Sequence, residues 1–488
     1  MIKKIKWNPE IWICLLGCIL TGAYLGVSWT SAGLGFPLDD AWIHQAYARN
    51  LAQYGGWFYF PGNMGNGSTA PLWTFLLAIG YRLNLPNLMW TYLLGVLFLV
   101  GTALLGYRIL KRYHPDQPHL ALWGALFLCG EWHLVWASVS GMETPLITCL
   151  ITAVFLGVIQ EKINGWLVGF LAGLAVWVRP DALTLLGPIL FIIVFNTTPK
   201  NDKLLVAGKM VFSFLMVFIP FLLFNQITSG HWMPNTFYAK QAEYAILQNE
   251  PLFLRFGKLM AQPWIGAGVL LLPGFIYTAY QSIRKKKIEI IAWVLFWLGY
   301  VLIYAVSLPV TYQHGRYQMP SMPVYFILGL IGSFDLMILI KRSRPGLLIK
   351  KSWILSLIIV WLAFNILGVE AYSQDTAIIQ NEMVKTAQWI SQNTPSNSII
   401  AAHDIGALGY WGDRKIIDLA GLVSSDVVPI IRDETQLREY LNNVHADYLM
   451  TFPTWYPILV KDKTLVYQSD DYHVIEAGGE NMTVYLWK

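Results

Sequence analysis

Two adjacent carboxylates, Asp39 and Asp40, follow Pro37 where the chain leaves its first apolar segment. A carboxylate at a partly dry mouth can take a proton from a hydroxyl acceptor, because burial tunes its proton affinity toward that task. Two neighbouring carboxylates could also share a divalent cation. The structural alternative is an N-cap, with Asp39 or Asp40 closing a helix over 41–54. His44 stands one helical turn past Asp40, placed to orient or co-ligate, or to serve as a purely structural histidine. Glu143, in the run 140–145, is an acid without an obvious partner at the rim of an apolar segment. Arg179 and Asp181 flank Pro180 and could pair internally.

A second set of candidates is basic and lies beside aromatic residues. Lys240 ends the stretch 234–240, which also holds Asn235; His314, Arg316 and Tyr317 share the stretch 312–317. An arginine fork among Tyr and His suits a phosphate or pyrophosphate, with interfacial anchoring as the plain alternative. His44, Glu143, Arg179 and Asn235 are further candidates for substrate contact. The turn-rich run 63–71 could offer backbone N–H groups to an anion, or Ser68 or Thr69 could cap the next helix. His403 and Asp404 follow a predicted strand and read as a turn satisfied internally.

The elements that must position these groups are mostly membrane spans. The 488 residues are 56% hydrophobic and 13% charged, whereas soluble domains carry roughly 25% charged residues. About 20 apolar residues cross a bilayer. Eleven segments qualify, the shorter ones as members of a bundle: 11–29, 88–107, 120–139, 145–159, 166–178, 183–195, 206–224, 263–280, 290–308, 324–340 and 353–368. The first reads as an uncleaved helix rather than a secretory signal. Pro180 argues for two helices around it rather than one.

Alternate loops separate by charge. Lys3, Arg108, Lys111, Lys162, Lys203, Arg284 to Lys287 and Lys350 fall in one set; the acid-bearing loops fall in the other. The positive-inside rule places the first set and the amino terminus in the cytoplasm, and an odd span count places the carboxyl terminus outside. Basic residues on the outer side, such as Lys240 and Arg316, then run against that rule and call for an anion. The net charge of +5 sits in the short connections and is no nucleic-acid footprint. The four cysteines lie in apolar stretches and fit neither a disulfide framework nor a metal. No P-loop, dinucleotide fingerprint or zinc spacing occurs, so no cofactor is required; a divalent metal is compatible with Asp39 and Asp40.

The chain therefore divides into a transmembrane domain over 1–371, with an outer first loop over 30–87, and a small α/β domain over 372–488. Interfacial helices are expected over 40–54 and 71–85, and the loop 225–262 is expected to be outer. In the tail, 382–391 reads as helix, and 398–402, 415–418, 447–452, 464–468, 473–476 and 483–487 read as strands.

Several runs resemble the GT-C class of polytopic glycosyltransferases, the group of protein mannosyltransferases, aminoarabinose transferases and arabinofuranosyltransferases. They are Asp39-Asp40-Ala41-Trp42-Ile43-His44, Ser140-Gly141-Met142-Glu143-Thr144, Arg179-Pro180-Asp181, the run from Pro234 to Lys240, Gly315-Arg316-Tyr317 and, in the tail, 403–409 and 418–422. Trp42 stands where that branch commonly has Tyr. The resemblance implies a fold of about eleven helices whose outer first loop bears the catalytic acid. It also implies a polyprenyl-phosphate sugar donor, an extracytoplasmic glycan, lipid or protein acceptor, and a bacterial cytoplasmic membrane. On this reading Asp40, with Asp39, is the general base, while Arg316, His314, Tyr317 and Lys240 hold the departing lipid phosphate. A transporter of lipid-linked sugars would place its charges near the midplane in broken helices. A non-catalytic assembly protein would leave Asp39, Asp40 and Arg316 without purpose.

Overall fold

The computed structural model describes residues 8–60, 67–195, 200–340, 343–476 and 478–488. Six of its helices are long and apolar enough to cross a membrane, among them Pro9–Ser31, Asn87–Tyr113 and Ile288–Ser307. Two bent pairs pass the same test when taken together: Pro118–Cys129 with Trp132–Val139, bent by 51°, and Leu252–Trp264 with Ala267–Arg284, bent by 96°. Three shorter apolar helices complete the set, Thr144–Val158, Gly165–Val178 and Pro180–Phe195. These elements fall on the expected apolar segments, and Arg179-Pro180 does separate two helices. The segment 120–139 is not one straight helix. Its second half starts afresh at Glu131, whose carboxylate accepts from the N–H groups of His133 and Leu134.

Close helix contact is built on small residues. Gly165, Gly169 and Gly173 recur every four residues and face the long helix Lys200–Ser229; a Cβ on Gly169 would lie 2.1 Å from the Met210 carbonyl oxygen. Such stripes let apolar helices approach where no hydrophobic force distinguishes them from lipid.

Helices Asp40–Tyr54 and Pro71–Arg82 form in the first loop as expected. The loop 225–262 proves largely helical, with Asn235–Glu243 and Leu252–Met260. The lysine-rich loops meet at the far end of the bundle, where Lys287 lies over the Tyr113 ring at 5.7 Å and His114 pairs with Asp335 at 3.0 Å. The acid-bearing loops and the tail gather at the other end. In a variant lacking the exposed Cys14 and Cys18, cysteines at the exposed positions Gln248 and Asp462 should label from outside intact cells. Those at Lys111 and Lys286 should stay protected. The reverse pattern would invert the orientation read from loop charge.

Helix Arg344–Ile378 runs through a π-helical segment, Ile379–Val384, into Lys385–Asn393, so 50 residues join membrane and tail without a break. The tail sheet holds β1 (Ile399–Ala402), β2 (Lys415–Asp418), β3 (Tyr448–Thr451), β4 (Thr464–Gln468) and β5 (Thr483–Leu486) in the order β2-β1-β3-β5-β4. β1 pairs in parallel with β2 and β3, while β5 runs antiparallel to β3 and β4. The segment 473–476, expected as a strand, lies in the helix Tyr472–Glu476. A short apolar run does not distinguish the two by periodicity, and Gly479 N–H closes this one on the Val474 carbonyl.

Candidate active site

Asp40 opens helix Asp40–Tyr54, so its side chain leaves the first turn toward residues far away in sequence. Its Oδ2 accepts from Arg316 Nη2 at 2.6 Å and from Lys240 Nζ at 3.2 Å. The same two nitrogens donate to the Tyr317 hydroxyl at 3.1 and 3.2 Å. Lys240 comes from helix Asn235–Glu243. Arg316 follows three successive left-handed residues, Gln313, His314 and Gly315. Only Gly315 adopts that conformation without steric cost. Burial alone would raise the Asp40 carboxyl, but Lys240 and then Arg316 outweigh it and hold the group far below the usual carboxylate range. Two cations face one carboxylate, so the cluster carries an excess positive charge. Arg316 is 8% exposed, and its Nε and Nη1 are buried without a partner among the described residues.

Asp39, the other half of the acidic pair, points elsewhere. It does not cap its own helix. Its two oxygens accept from the N–H groups of Gly406 and Ala407, at 2.6 and 2.8 Å, and so tie the tail domain to the first loop. Burial and then Asp404 push the Asp39 carboxyl up, against the pull of those two N–H groups. The expectation of a shared divalent cation fits this geometry poorly. The two carboxylates diverge, and Asp40 already has two cations that would repel a third. Among the described residues no group of three or more His, Cys, Asp or Glu side chains is arranged to hold a metal.

A second network lies beside the first. Arg179 donates to Glu143 Oε1 at 2.9 Å, to Asp181 at 3.2 Å and to the Tyr304 hydroxyl at 2.7 Å. The internal Arg179–Asp181 pair is thus present and extends to Glu143. His44 Nε2 stands 3.7 Å from Glu143 Oε2, and its Nδ1 lies 3.2 Å from Ser68 Oγ and 3.1 Å from Thr74 Oγ1. Ser68 therefore holds His44 instead of capping the helix after it, which has no side-chain cap. Burial, outweighing Glu143, lowers the His44 proton affinity. Residues 63–66 of the turn-rich run lie outside the described residues.

Two cavities meet at the Asp40 cluster. The smaller, about 250 Å³, lies toward the membrane helices and is lined by His44, Glu143, Arg179, Phe237, Ile303 and Tyr317 among others. The larger, about 630 Å³, lies under the tail domain, with Glu243, His403, Asp404 and Trp455 in its wall. Asp40, Lys240 and Arg316 line both. Two expected residues are not brought in. His314 turns away to Asp375 Oδ2 at 2.8 Å, packed edge-on against Trp132 and Trp136. Asn235 lines neither cavity, although its neighbours Thr236 and Phe237 line the smaller one.

The tail's contribution exceeds its sequence reading. His403 is satisfied, through the Tyr456 hydroxyl at 2.7 Å and Glu243 at 3.4 Å, yet it also walls the larger cavity. Burial would lower its proton affinity, but the Glu243 contact, Asp404 and Asp418 raise it above the usual histidine value. A raised folded value means the His403–Glu243 contact is fully present below about pH 6.5, the unfolded value. It is lost as pH rises through the higher folded value. Hydrogen exchange in helix Asn235–Glu243, corrected for intrinsic rate, should speed up over that rise in the wild type and not in His403→Gln. A flat profile in the wild type would remove this contact as a pH-sensitive tie.

Comparisons with known proteins bear on the fold. A family model described as a domain of unknown function, DUF8728, matches residues 371–485. No curated protein matches. The crystal structure of ArnT from Cupriavidus metallidurans in the apo state is similar over 98% of this chain and 98% of that one, with a TM-score of 0.61 and 13% identity. The oligosaccharyltransferase of Archaeoglobus fulgidus is similar over 94% of this chain and 71% of that one, with a TM-score of 0.61 and 12% identity. The chain has the GT-C fold. That fold accounts for a polytopic helical bundle carrying its loops and tail domain at one end. ArnT has been solved bound to undecaprenyl phosphate. The Archaeoglobus enzyme, AglB, has been solved with an inhibitory peptide and a dolichol-phosphate.

Proposed function

We propose that this GT-C-fold protein is a membrane glycosyltransferase that moves a sugar from a polyprenyl-phosphate donor to an extracytoplasmic acceptor, with inversion. The observation that carries the reading is the cluster of Asp40, Lys240, Arg316 and Tyr317 in the wall between two cavities. The spare Arg316 donors and the excess positive charge suit a phosphate. The smaller cavity opens beside the apolar residues Ile303, Leu308 and Phe237, where a lipid-borne phosphate can arrive. The larger cavity has room for the acceptor.

In the reaction the acceptor hydroxyl attacks the anomeric carbon from the face opposite the phosphate. Its proton passes to Asp40, the new C–O bond forms, and the bond from the anomeric carbon to the phosphate oxygen breaks. The negative charge growing on the phosphate is held by Arg316, Lys240 and the Tyr317 hydroxyl, groups already oriented before the reaction begins. The Glu143–Arg179–Asp181 network shapes the wall, and its internal pairing leaves Arg179 with little charge to spare. The phosphate ester is itself an activated donor, so the step calls for no nucleotide.

Purified protein in nanodiscs tests the reading. It should bind undecaprenyl phosphate saturably, and it should release undecaprenyl phosphate from at least one member of a panel of undecaprenyl-phosphate-linked pentoses and hexoses. Absence of both would overturn it.

A further inference from the structure

Asp40 Oδ2 sits where the two cations converge, 2.6 Å from Arg316 Nη2 and 3.2 Å from Lys240 Nζ. One carboxylate oxygen is an incomplete partner for that pair. Arg316 Nε and Nη1 remain buried and unpartnered among the described residues, and a guanidinium edge is matched by an anion presenting several oxygens. A phosphate placed on Lys240 and Arg316 would supply those oxygens, and it would draw on the two nitrogens that Asp40 now holds.

We propose that Asp40 is the resident anion of a lipid-phosphate site, and that donor binding takes Lys240 and Arg316 from it and thereby frees its carboxylate to act as the base. This rests on the lipid-phosphate reading given above. Held by two cations, the carboxylate is a weak proton acceptor. Once the phosphate shares or takes those cations, the nearby negative charge favours protonation of Asp40. The base is thus switched on by the donor it serves, and the donor binds before the acceptor can react. A site with no donor holds Asp40 as a weak base, so it reaches working strength only beside the sugar phosphate it serves.

Coupling of this kind is reciprocal. If the phosphate weakens the hold on Asp40, removing the Asp40 charge must strengthen the hold on phosphate. The probe is undecaprenyl phosphate, titrated onto wild type, Asp40→Asn and Arg316→Ala in nanodiscs. Asp40→Asn should bind it roughly 10-fold or more tightly than wild type, the scale of one charge-assisted contact. Equal or weaker binding by Asp40→Asn overturns the proposal. Asparagine leaves two buried cations poorly compensated and can lower stability, so a second measurement reads the same coupling. Inorganic phosphate should raise the thermal unfolding midpoint of Asp40→Asn more than that of wild type; equal shifts overturn the proposal. The two levels fail differently. Wild type that binds undecaprenyl phosphate no better than Arg316→Ala removes the lipid-phosphate site and this coupling with it. Wild type that binds, Arg316→Ala that binds weakly and Asp40→Asn that matches wild type remove only the coupling.

Discussion

Asp40→Asn should cut the release of undecaprenyl phosphate from its sugar-linked form by about 100-fold or more, since a positioned general base typically contributes 10²- to 10⁴-fold. The lipid phosphate should still bind, because Arg316, Lys240 and Tyr317 are untouched. The neighbouring substitution is expected to behave differently. Asp39 uses both oxygens on the N–H groups of Gly406 and Ala407, so in Asp39→Asn one acceptor becomes an amide NH2 facing a backbone N–H at the junction with the tail. Its main effect should be on stability, a loss of about 1–3 kcal/mol, seen as faster proteolysis of the tail and a lower unfolding midpoint. Wild-type turnover in Asp40→Asn would remove Asp40 from the chemistry. Equal losses of turnover in the two variants would undo the division of labour between them.

Adjacent residues of one type can thus do different work for a reason rooted in helix geometry. Asp39 lies just before the helix and Asp40 is its first residue, and successive side chains on such a start diverge by about 100°. The sequence shows the pair and its costly setting, but not the direction of either side chain. That direction depends on what the tail and the loop over 234–240 bring in, from about 370 and 200 residues away.

The elements with strong local signals were legible. Helix Asp40–Tyr54 and strands Lys415–Asp418 and Thr464–Gln468 match their expected bounds, since the helical spacing of Ile43, Tyr47 and Leu51, the glycine that ends that helix and short runs of β-formers act within a few residues. The helices at 235–243 and 252–260 were missed because interspersed polar residues and flanking prolines read as loop. Among site residues, Lys240 and Arg316 were legible as cations against the charge asymmetry of the loops, and Tyr317 as their neighbour. His314, expected beside Arg316 and Lys240, instead lies away from the Asp40 cluster, because no local pattern carries the backbone angles that decide its direction. The left-handed run at Gln313, His314 and Gly315 swings its ring toward Asp375 while sending Arg316 to Asp40. Only the glycine hints at such a turn in the sequence. The link from Arg179 to Glu143 spans 36 positions and two helices, beyond any local pattern.

Arg316→Ala should weaken undecaprenyl phosphate binding by roughly 10- to 150-fold, the equivalent of about 1.5–3 kcal/mol for a buried charge-assisted contact. The physical case is the cost of the residue as it stands. An arginine that is 8% exposed as a whole residue, with Nε and Nη1 unpartnered among the described residues, bears an uncompensated desolvation cost unless an anion completes it. Asp40 compensates one nitrogen only. Arg316→Lys should recover part of the affinity and less of the turnover, because an ammonium restores the charge without the planar fork that fixes two phosphate oxygens. Lys240→Ala should fall short of the Arg316→Ala effect, since its longer contact to Asp40, 3.2 Å against 2.6 Å, and its greater side-chain exposure, 18% against 9%, mark the weaker electrostatic hold. Titration of undecaprenyl phosphate onto each variant in nanodiscs checks the order. Undiminished affinity in Arg316→Ala would make this arginine an internal counter-ion for Asp40 alone and would remove the lipid-phosphate site from this cluster.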